Sequence, residues 1–241
     1  MNEIKRAMTS QSKYWAVMPA AGVGSRMAAD KPKQYLQVAG KTIIEHSIDA
    51  ILRMPKLESV LVCVSDNDDY FTKLSFDRTK VISTLGGKSR AESVLNGLHA
   101  LRGKADKSDW VLVHDAARPC LQLDELNRLV SSIEADPVGG ILALPAKDTI
   151  KMSAQTSEPH HVDCTLDRSR IWMAQTPQMF RYGLLLESLE FCKSRKMTVT
   201  DEASAVEQAG HSVKLIRGSS QNIKVTTPED RKLVQFLLST D

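Results

Sequence analysis

At 241 residues the chain is long enough to bury one large core, and its formal net charge of +3 is spread over dispersed basic residues rather than gathered in blocks. So mild a balance calls for neither a nucleic-acid partner nor a membrane surface, and no apolar run reaches the length of a bilayer. The four cysteines, Cys63, Cys120, Cys164 and Cys192, show no C-x-x-C spacing and follow no secretory leader, which argues for reduced thiols in a cytoplasmic protein and against a zinc site.

Residues 1–13 read as a frayed extension, and 14–241 as a single domain. The apolar run Trp15 to Met18 predicts a buried strand that breaks into Pro19-Ala20-Ala21-Gly22-Val23-Gly24-Ser25-Arg26-Met27, followed by Lys31-Pro32-Lys33-Gln34-Tyr35. Glycines between a strand and a helix free backbone N–H groups to face an anion. Arg26 and Lys33 lie seven residues apart at the exit, so a polyphosphate is the ligand expected. No G-x-x-x-x-G-K-[ST] is present, and Met27 stands where a dinucleotide loop has its third glycine. Taken alone, Gly22-x-Gly24 is equally a plain strand-to-helix turn.

With the two cations and Pro32-Lys33-Gln34-Tyr35 added, this stretch resembles the opening signature of nucleotidyltransferases that move an NMP unit onto a phosphate. It is most similar to the 2-C-methyl-D-erythritol 4-phosphate cytidylyltransferases of non-mevalonate isoprenoid synthesis. The likeness recurs from about Ala16 to Leu237. It implies CTP and 2-C-methyl-D-erythritol 4-phosphate as substrates, Mg²⁺ as cofactor, and a homodimer. It further implies nucleotide contacts from Pro19, Ala20, Ala21, Gly22 and Gly24, with Arg26 and Lys33 as catalytic cations.

Further on, Ile44, Ile48, Ile51 and Leu52 keep helical spacing, and Ser59 to Ser65 is an apolar strand run ending in the acidic loop Asp66 to Asp69. Tyr70 and Phe71 follow where a calcium loop needs glycine and a distal carboxylate, so calcium is not expected there. Val81 to Leu85 predicts a strand, Gly86-Gly87 a close approach to a ligand, and Arg90 to Leu101 a helix. In the resembled family this segment borders the nucleobase, which places cytosine against the backbone near Gly87 and Lys88 and the hydroxyl of Ser93. Some relatives carry Asp where this chain has Lys88, so the role carried over at that position is the backbone's.

The strand Trp110 to Val113 runs into His114-Asp115-Ala116-Ala117-Arg118-Pro119. Ligands bind at the carboxyl ends of parallel strands, and magnesium is usually held by one or two carboxylates plus substrate phosphates, so Asp115 is the candidate metal ligand. A cap for the next helix is its alternative role, and His114 reads as a structural histidine. The resemblance adds Ala116 to the nucleotide contacts and Arg118 to the substrate contacts.

A helix from Leu123 to Ala135 and a strand from Gly140 to Leu144 continue the alternation of an α/β fold: a Rossmann-like, mostly parallel sheet covered by helices on both faces. Between about 145 and 170 the rhythm changes to two short polar strands, an extended β-arm too polar to bury itself. In the family such an arm dimerises and lends residues to the neighbouring active site. Thr149, Arg168 and Thr176 match those positions. A helix from Gly183 to Lys193, a helix capped by Asp201, strands at Val213–Arg217 and Asn222–Thr226, and a helix opening at Thr227-Pro228 complete the chain. The family match adds Thr200 as a substrate-phosphate contact and Lys224 as a catalytic cation, while Gln221 stands where relatives often carry Asp. Two other readings fit the same loop: a ribitol 5-phosphate cytidylyltransferase, whose relatives open with Leu-Ala-Gly-Gly, and a nucleotide-binding module without turnover.

Overall fold

The computed structural model describes residues 12–22, 31–156 and 158–239. Eleven strands and six α-helices are found among them. The strands are β1 (Tyr14–Pro19), β2 (Gln37–Val38), β3 (Lys41–Thr42), β4 (Leu57–Val64), β5 (Val81–Leu85), β6 (Trp110–Val113), β7 (Gly139–Pro145), β8 (Ile150–Ser153), β9 (Val162–Leu166), β10 (Trp172–Arg181) and β11 (Lys214–Arg217). The helices are α1 (Ile43–Leu52), α2 (Arg90–Ala100), α3 (Leu123–Ile133), α4 (Tyr182–Ser194), α5 (Glu202–Gln208) and α6 (Pro228–Ser239).

Seven strands form the central sheet in the order β11-β7-β10-β6-β1-β4-β5. All pairings are parallel except those of β10, which runs against both β6 and β7. The alternation of side chains explains why the central strands are apolar without interruption. Tyr14, Ala16 and Met18 of β1 face a core shared with α1 and α3, whereas Trp15 and Val17 face one shared with α2, α4 and α5. Both faces are therefore covered, as the alternating sequence pattern predicts.

The chain leaves β1 for β4 and β5 on one side and returns through β6 on the other, so the order of strands reverses between β1 and β6. The crevice outside their carboxyl ends is where open α/β sheets bind ligands. Helix α2 approaches this edge closely: a methyl on Gly97 would lie 2.6 Å from Val17 Cγ1 and 2.9 Å from Cys63 Sγ.

Two expectations need correction. Strand β10 is hidden in the sequence because polar Gln175-Thr176-Pro177-Gln178 interrupts it, and its pairing with β7 is irregular between Ala174 and Gln178, where Pro177 offers no N–H. Conversely, Asn222–Thr226 is a loop rather than a strand. Its backbone is answered elsewhere: the Arg118 Nη1 and Gln175 Nε2 donate to Asn222 O at 2.6 and 3.2 Å, and Val225 N donates to Ala117 O at 2.8 Å.

The two short strands expected between about 145 and 170 are present. β8 and β9 pair antiparallel as a separate two-stranded sheet, Ile150 opposite Leu166 and Met152 opposite Cys164. Met152 and Val162 stay exposed, as do Trp172 and Met173 where the chain re-enters the main sheet.

Candidate active site

A cavity of about 330 Å³ opens at the crevice between β1 and β6. It collects Pro19, Ala20, Ala21 and Gly22 after β1, Gly87, Lys88, Ser89, Arg90 and Ser93 around the start of α2, and Asp115 and Ala116 after β6. Lys33 and Lys224 close it from further along the chain. Gly24 and Arg26 lie outside the described residues.

The loop after β1 is held from behind by a side chain to which the sequence assigned no role. Gln34, buried, donates its amide to Ala20 O at 2.8 Å and to Gly22 O at 3.2 Å. Two carbonyls that would repel an anion are thereby turned to a donor. The neighbouring Tyr35 donates to Asp68 Oδ2 at 2.6 Å and stacks on Tyr70 with ring centroids 5.1 Å apart, which fixes the short 3-10 turn Lys33–Tyr35. Asp68 also accepts from Tyr70 N and Phe71 N, so the acidic loop works as an anchor. Lys33 Nζ donates to Val225 O at 2.8 Å, linking this turn to the loop that carries Lys224.

On the opposite wall, Ser93 Oγ accepts from Gly87 N at 3.0 Å and donates to Ser89 O at 2.9 Å, while Lys88 N donates to Glu92 Oε2 at 2.9 Å. Gly87, Lys88 and Ser93, expected to border the base, thus line the cavity, with both N–H groups engaged by side chains of the wall. A methyl on Gly87 would lie 2.2 Å from Glu92 Cγ, and one on Gly86 would lie 2.6 Å from Ala21 Cβ. The two glycines let this wall close onto α2 and onto the loop after β1.

Asp115 forms the floor, only 7 % exposed. Its Oδ1 accepts from Arg90 Nε at 3.0 Å, and its Oδ2 lies 2.8 Å from Lys224 Nζ and 3.7 Å from Arg118 Nε. Burial pushes its pKa up, but the charges of Arg90, Lys224 and Arg118 outweigh burial and hold it well below the usual carboxylate range. Arg90 turns its other face to Glu202, donating from Nη1 at 2.7 Å and Nη2 at 3.0 Å to a carboxylate with no solvent exposure. This Arg90–Glu202 pair was not legible, because the two residues are far apart in the chain and neither ends an apolar strand.

Beneath the floor, the chain of hydrogen bonds fixes one tautomer of His114. Asp115 N donates to Thr176 Oγ1 at 3.1 Å, so that hydroxyl turns its own proton to His114 Nδ1 at 3.0 Å, and Nε2–H donates to Arg118 O at 3.1 Å. Fully buried, His114 is neutral, its pKa pushed down to about 4 chiefly by loss of solvation. The structural reading of His114 holds. Thr176 is 4 % exposed and sits one layer below the cavity.

The remaining expected contacts are not brought to this cavity within one chain. Arg118 is buried behind Asp115. Thr200 is exposed, its N–H donating to Ser204 Oγ at 3.1 Å beside Asp201, which caps α5. Thr149 and Arg168 lie at the root of the arm, exposed, with Arg168 Nη1 donating to Lys147 O. Among the described residues, three or more His, Cys, Asp or Glu side chains nowhere cluster as a metal cage, so any divalent ion here depends on Asp115 and on the ligand's own oxygens.

Comparison with known proteins gives a consistent picture. The model of one family, IspD, described as 2-C-methyl-D-erythritol 4-phosphate cytidylyltransferase, matches residues 14–240. The enzyme of that name from Pseudomonas putida (strain GB-1) is 51% identical over 219 residues, 90% of this chain and 92% of the relative. The one from Vibrio vulnificus (strain CMCP6) is 46% identical over 98% of both chains. The crystal structure of a 4-diphosphocytidyl-2C-methyl-D-erythritol synthase superposes with a TM-score of 0.82 at 38% identity, covering 95% of this chain and all of that one. The Francisella tularensis enzyme follows with 0.81 at 35% identity over 94% and 100%.

Proposed function

The chain belongs to the 2-C-methyl-D-erythritol 4-phosphate cytidylyltransferase family, and on that premise we propose how its pocket joins CTP to 2-C-methyl-D-erythritol 4-phosphate, releasing pyrophosphate, in isoprenoid precursor synthesis. The observation that carries this reading is the pairing of Arg90 and Lys224 with Asp115 at the crevice between β1 and β6, in a cavity that Lys33 also lines.

The attacking group is a phosphate monoester whose second pKa, about 6, leaves it mostly dianionic at neutral pH. It needs no proton removed. That agrees with a pocket whose nearest histidine, His114, is buried and engaged at both nitrogens. The difficulty is instead that two anions must meet, so the protein has to neutralise charge and hold the attacking oxygen in line with the α-phosphorus. Lys33, with Arg26 from the same loop, takes the charge that grows on the α-phosphate. Lys224 grips the incoming phosphate, together with Arg168 from a partner subunit. Asp115 fits a magnesium ion: a single ionised carboxylate at a phosphate pocket supplies one oxygen, and substrate phosphates supply others. When bound, the ion would neutralise the triphosphate and fix its shape.

The base sits against the Gly87–Ser93 wall. With the Gly87 and Lys88 N–H groups engaged, these two residues offer no free donor to the carbonyl of uracil, while a backbone carbonyl there would accept from the amino group of cytosine. A second copy of the chain completes the sugar-phosphate side. The exposed apolar residues Met152, Val162, Trp172 and Met173 on and beside the arm support such a contact, which would carry Thr149 and Arg168 to the partner's pocket. No helix among the described residues is long and apolar enough to cross a membrane, and Cys63, Cys120, Cys164 and Cys192 are all free thiols. We therefore assign the enzyme to the reducing cytoplasm.

The test is pyrophosphate release from a panel of nucleoside triphosphates and sugar phosphates with Mg²⁺. Release is expected with CTP and 2-C-methyl-D-erythritol 4-phosphate; preference for ribitol 5-phosphate, or no turnover with any pair, overturns the reading.

A further inference from the structure

The three cations on Asp115 are not equivalent. The Arg118 side chain is 10 % exposed and its Nη1 donates to Asn222 O, so it cannot leave without abandoning a buried carbonyl. That of Arg90 is 27 % exposed and is locked by two bonds to the buried carboxylate of Glu202. Lys224 is different. Its side chain is 40 % exposed, and among the described residues its ammonium is hydrogen-bonded or ion-paired to Asp115 alone. The backbone that carries it stays pinned by Val225 N on Ala117 O and by the bonds to Asn222 O, so the side chain can swing while its loop stays put.

The lysine thus sits, 2.8 Å away, on an oxygen that a divalent ion would need. A divalent ion bound to that oxygen would lie in contact with the ammonium, and the like-charge repulsion would be strong. Arg90 and Arg118 are fastened elsewhere, which leaves Lys224 as the group that yields. A released ammonium on a flexible four-carbon stem, in a pocket open to solvent, then has an obvious new partner in the incoming phosphate.

We propose that Lys224 is a placeholder: in the resting enzyme it neutralises Asp115, and arrival of the metal–nucleotide complex exchanges it from Asp115 to the attacking sugar phosphate. This rests on Asp115 being the magnesium ligand. The grip on the second substrate is thereby made available by the first. Linkage requires the converse as well, so an anion that draws Lys224 off Asp115 strengthens the metal's hold on that carboxylate. It follows that removing a lysine the reaction needs improves the metal's contribution to nucleotide binding.

The readout is a ratio of affinities rather than a rate. Binding of CTP is measured by calorimetry with Mn²⁺ and again with EDTA, and the metal's contribution is the ratio of the two dissociation constants; because the lysine attracts the bare triphosphate more than its metal complex, Lys224→Met is also measured in an Asp115→Asn background, where the ratio is expected not to rise if the lysine acts through the carboxylate. For Lys224→Met this ratio is expected to rise by about tenfold over the unaltered enzyme, within the usual span of couplings between neighbouring sites. Lys224→Arg, which keeps the charge, is expected to stay near the unaltered value. Asp115→Asn should bring the ratio close to one. If Asp115→Asn does so but Lys224→Met leaves the ratio unchanged or lower, the exchange is wrong and the metal assignment stands. If Asp115→Asn leaves the ratio intact, the metal assignment falls and takes the exchange with it.

Discussion

At the floor of the pocket, Asp115 and Glu202 bury their carboxylates around Arg90, whereas along the arm Lys151, Asp163 and Arg168 leave their charges in water. The same residue types therefore have different energetics in the two places. Around Arg90 the carboxylates of Asp115 and Glu202 are desolvated and must be answered inside the protein, so this floor is preorganised and deleting their partner exposes an unpaired ion. On the arm, pairs such as Lys151 Nζ to Thr165 Oγ1 at 2.7 Å are solvent-screened and hold little. On the proposed reading, the described part of the pocket around Asp115 is built by a single chain, whereas Thr149 and Arg168 on the arm would serve a pocket only through a partner subunit.

The sharpest way to break this contrast is to remove Arg90. Arg90→Met leaves Glu202 as a buried carboxylate without its partner, and the expected loss is about 3–5 kcal/mol in denaturant unfolding. Arg168→Met, the same change on the arm, should cost no more than about 0.5 kcal/mol. Equal losses would show that the two regions do not differ in kind.

Next in size is the loss of a charge-stabilising cation. Lys33→Ala is expected to lower kcat about 10²–10³-fold, the usual scale for deleting one donor aimed at developing negative charge, with folding stability little changed. Steady-state kinetics beside a thermal melt would check it. A drop in activity matched by a drop in stability would instead give Lys33 a structural role through its bond to Val225 O.

The pH response of the floor follows from His114. Its folded pKa, about 4, lies below the value of about 6.5 expected unfolded. The unfolded chain takes up a proton that the folded chain refuses, so this group's contribution is fully present above pH 6.5 and is lost as pH falls from there to about 4. The slope in that window should flatten in His114→Gln, measured by urea unfolding at a series of pH values. A slope that is the same with and without the imidazole would mean that His114 binds its proton equally in the folded and unfolded states.

These effects also mark what the sequence made legible. Where a single apolar run ends in a functional residue, as at Met18 into Pro19 or Val113 into His114-Asp115, local pattern and site coincide, and both were readable. Arg90 and Glu202 escaped because each looks like an ordinary first-turn helix residue, and only the packing of α2 beside α5 brings them together. Gln34 was in plain view within Pro32-Lys33-Gln34-Tyr35, yet a glutamine's role depends on which carbonyls surround it. Strand β10 was obscured by its own polar centre, and the Asn222–Thr226 loop imitated a strand because its alternation of apolar and polar residues serves side-chain anchoring instead of a ladder.

The smallest expected effect tests the arm. Arg168→Ala removes a guanidinium whose hydrogen bond within its own chain is an exposed one to Lys147 O, so the protomer should melt as before. If that guanidinium serves a neighbouring pocket, KM for 2-C-methyl-D-erythritol 4-phosphate should rise about tenfold, the cost of one lost contact to a phosphate, with CTP binding unaltered. Mixing the Arg168→Ala chain with a Lys33→Ala chain separates a shared site from a private one. Two defective subunits would then combine into a dimer with one pocket lacking both groups and one pocket lacking neither, and, assayed with the sugar phosphate well below its KM, activity should return to about a quarter of normal if chains exchange at random, since half the dimers are mixed and each has one intact pocket. Were Arg168 to act only within its own chain, no pocket in the mixture would be whole, and activity would remain the average of the two mutants.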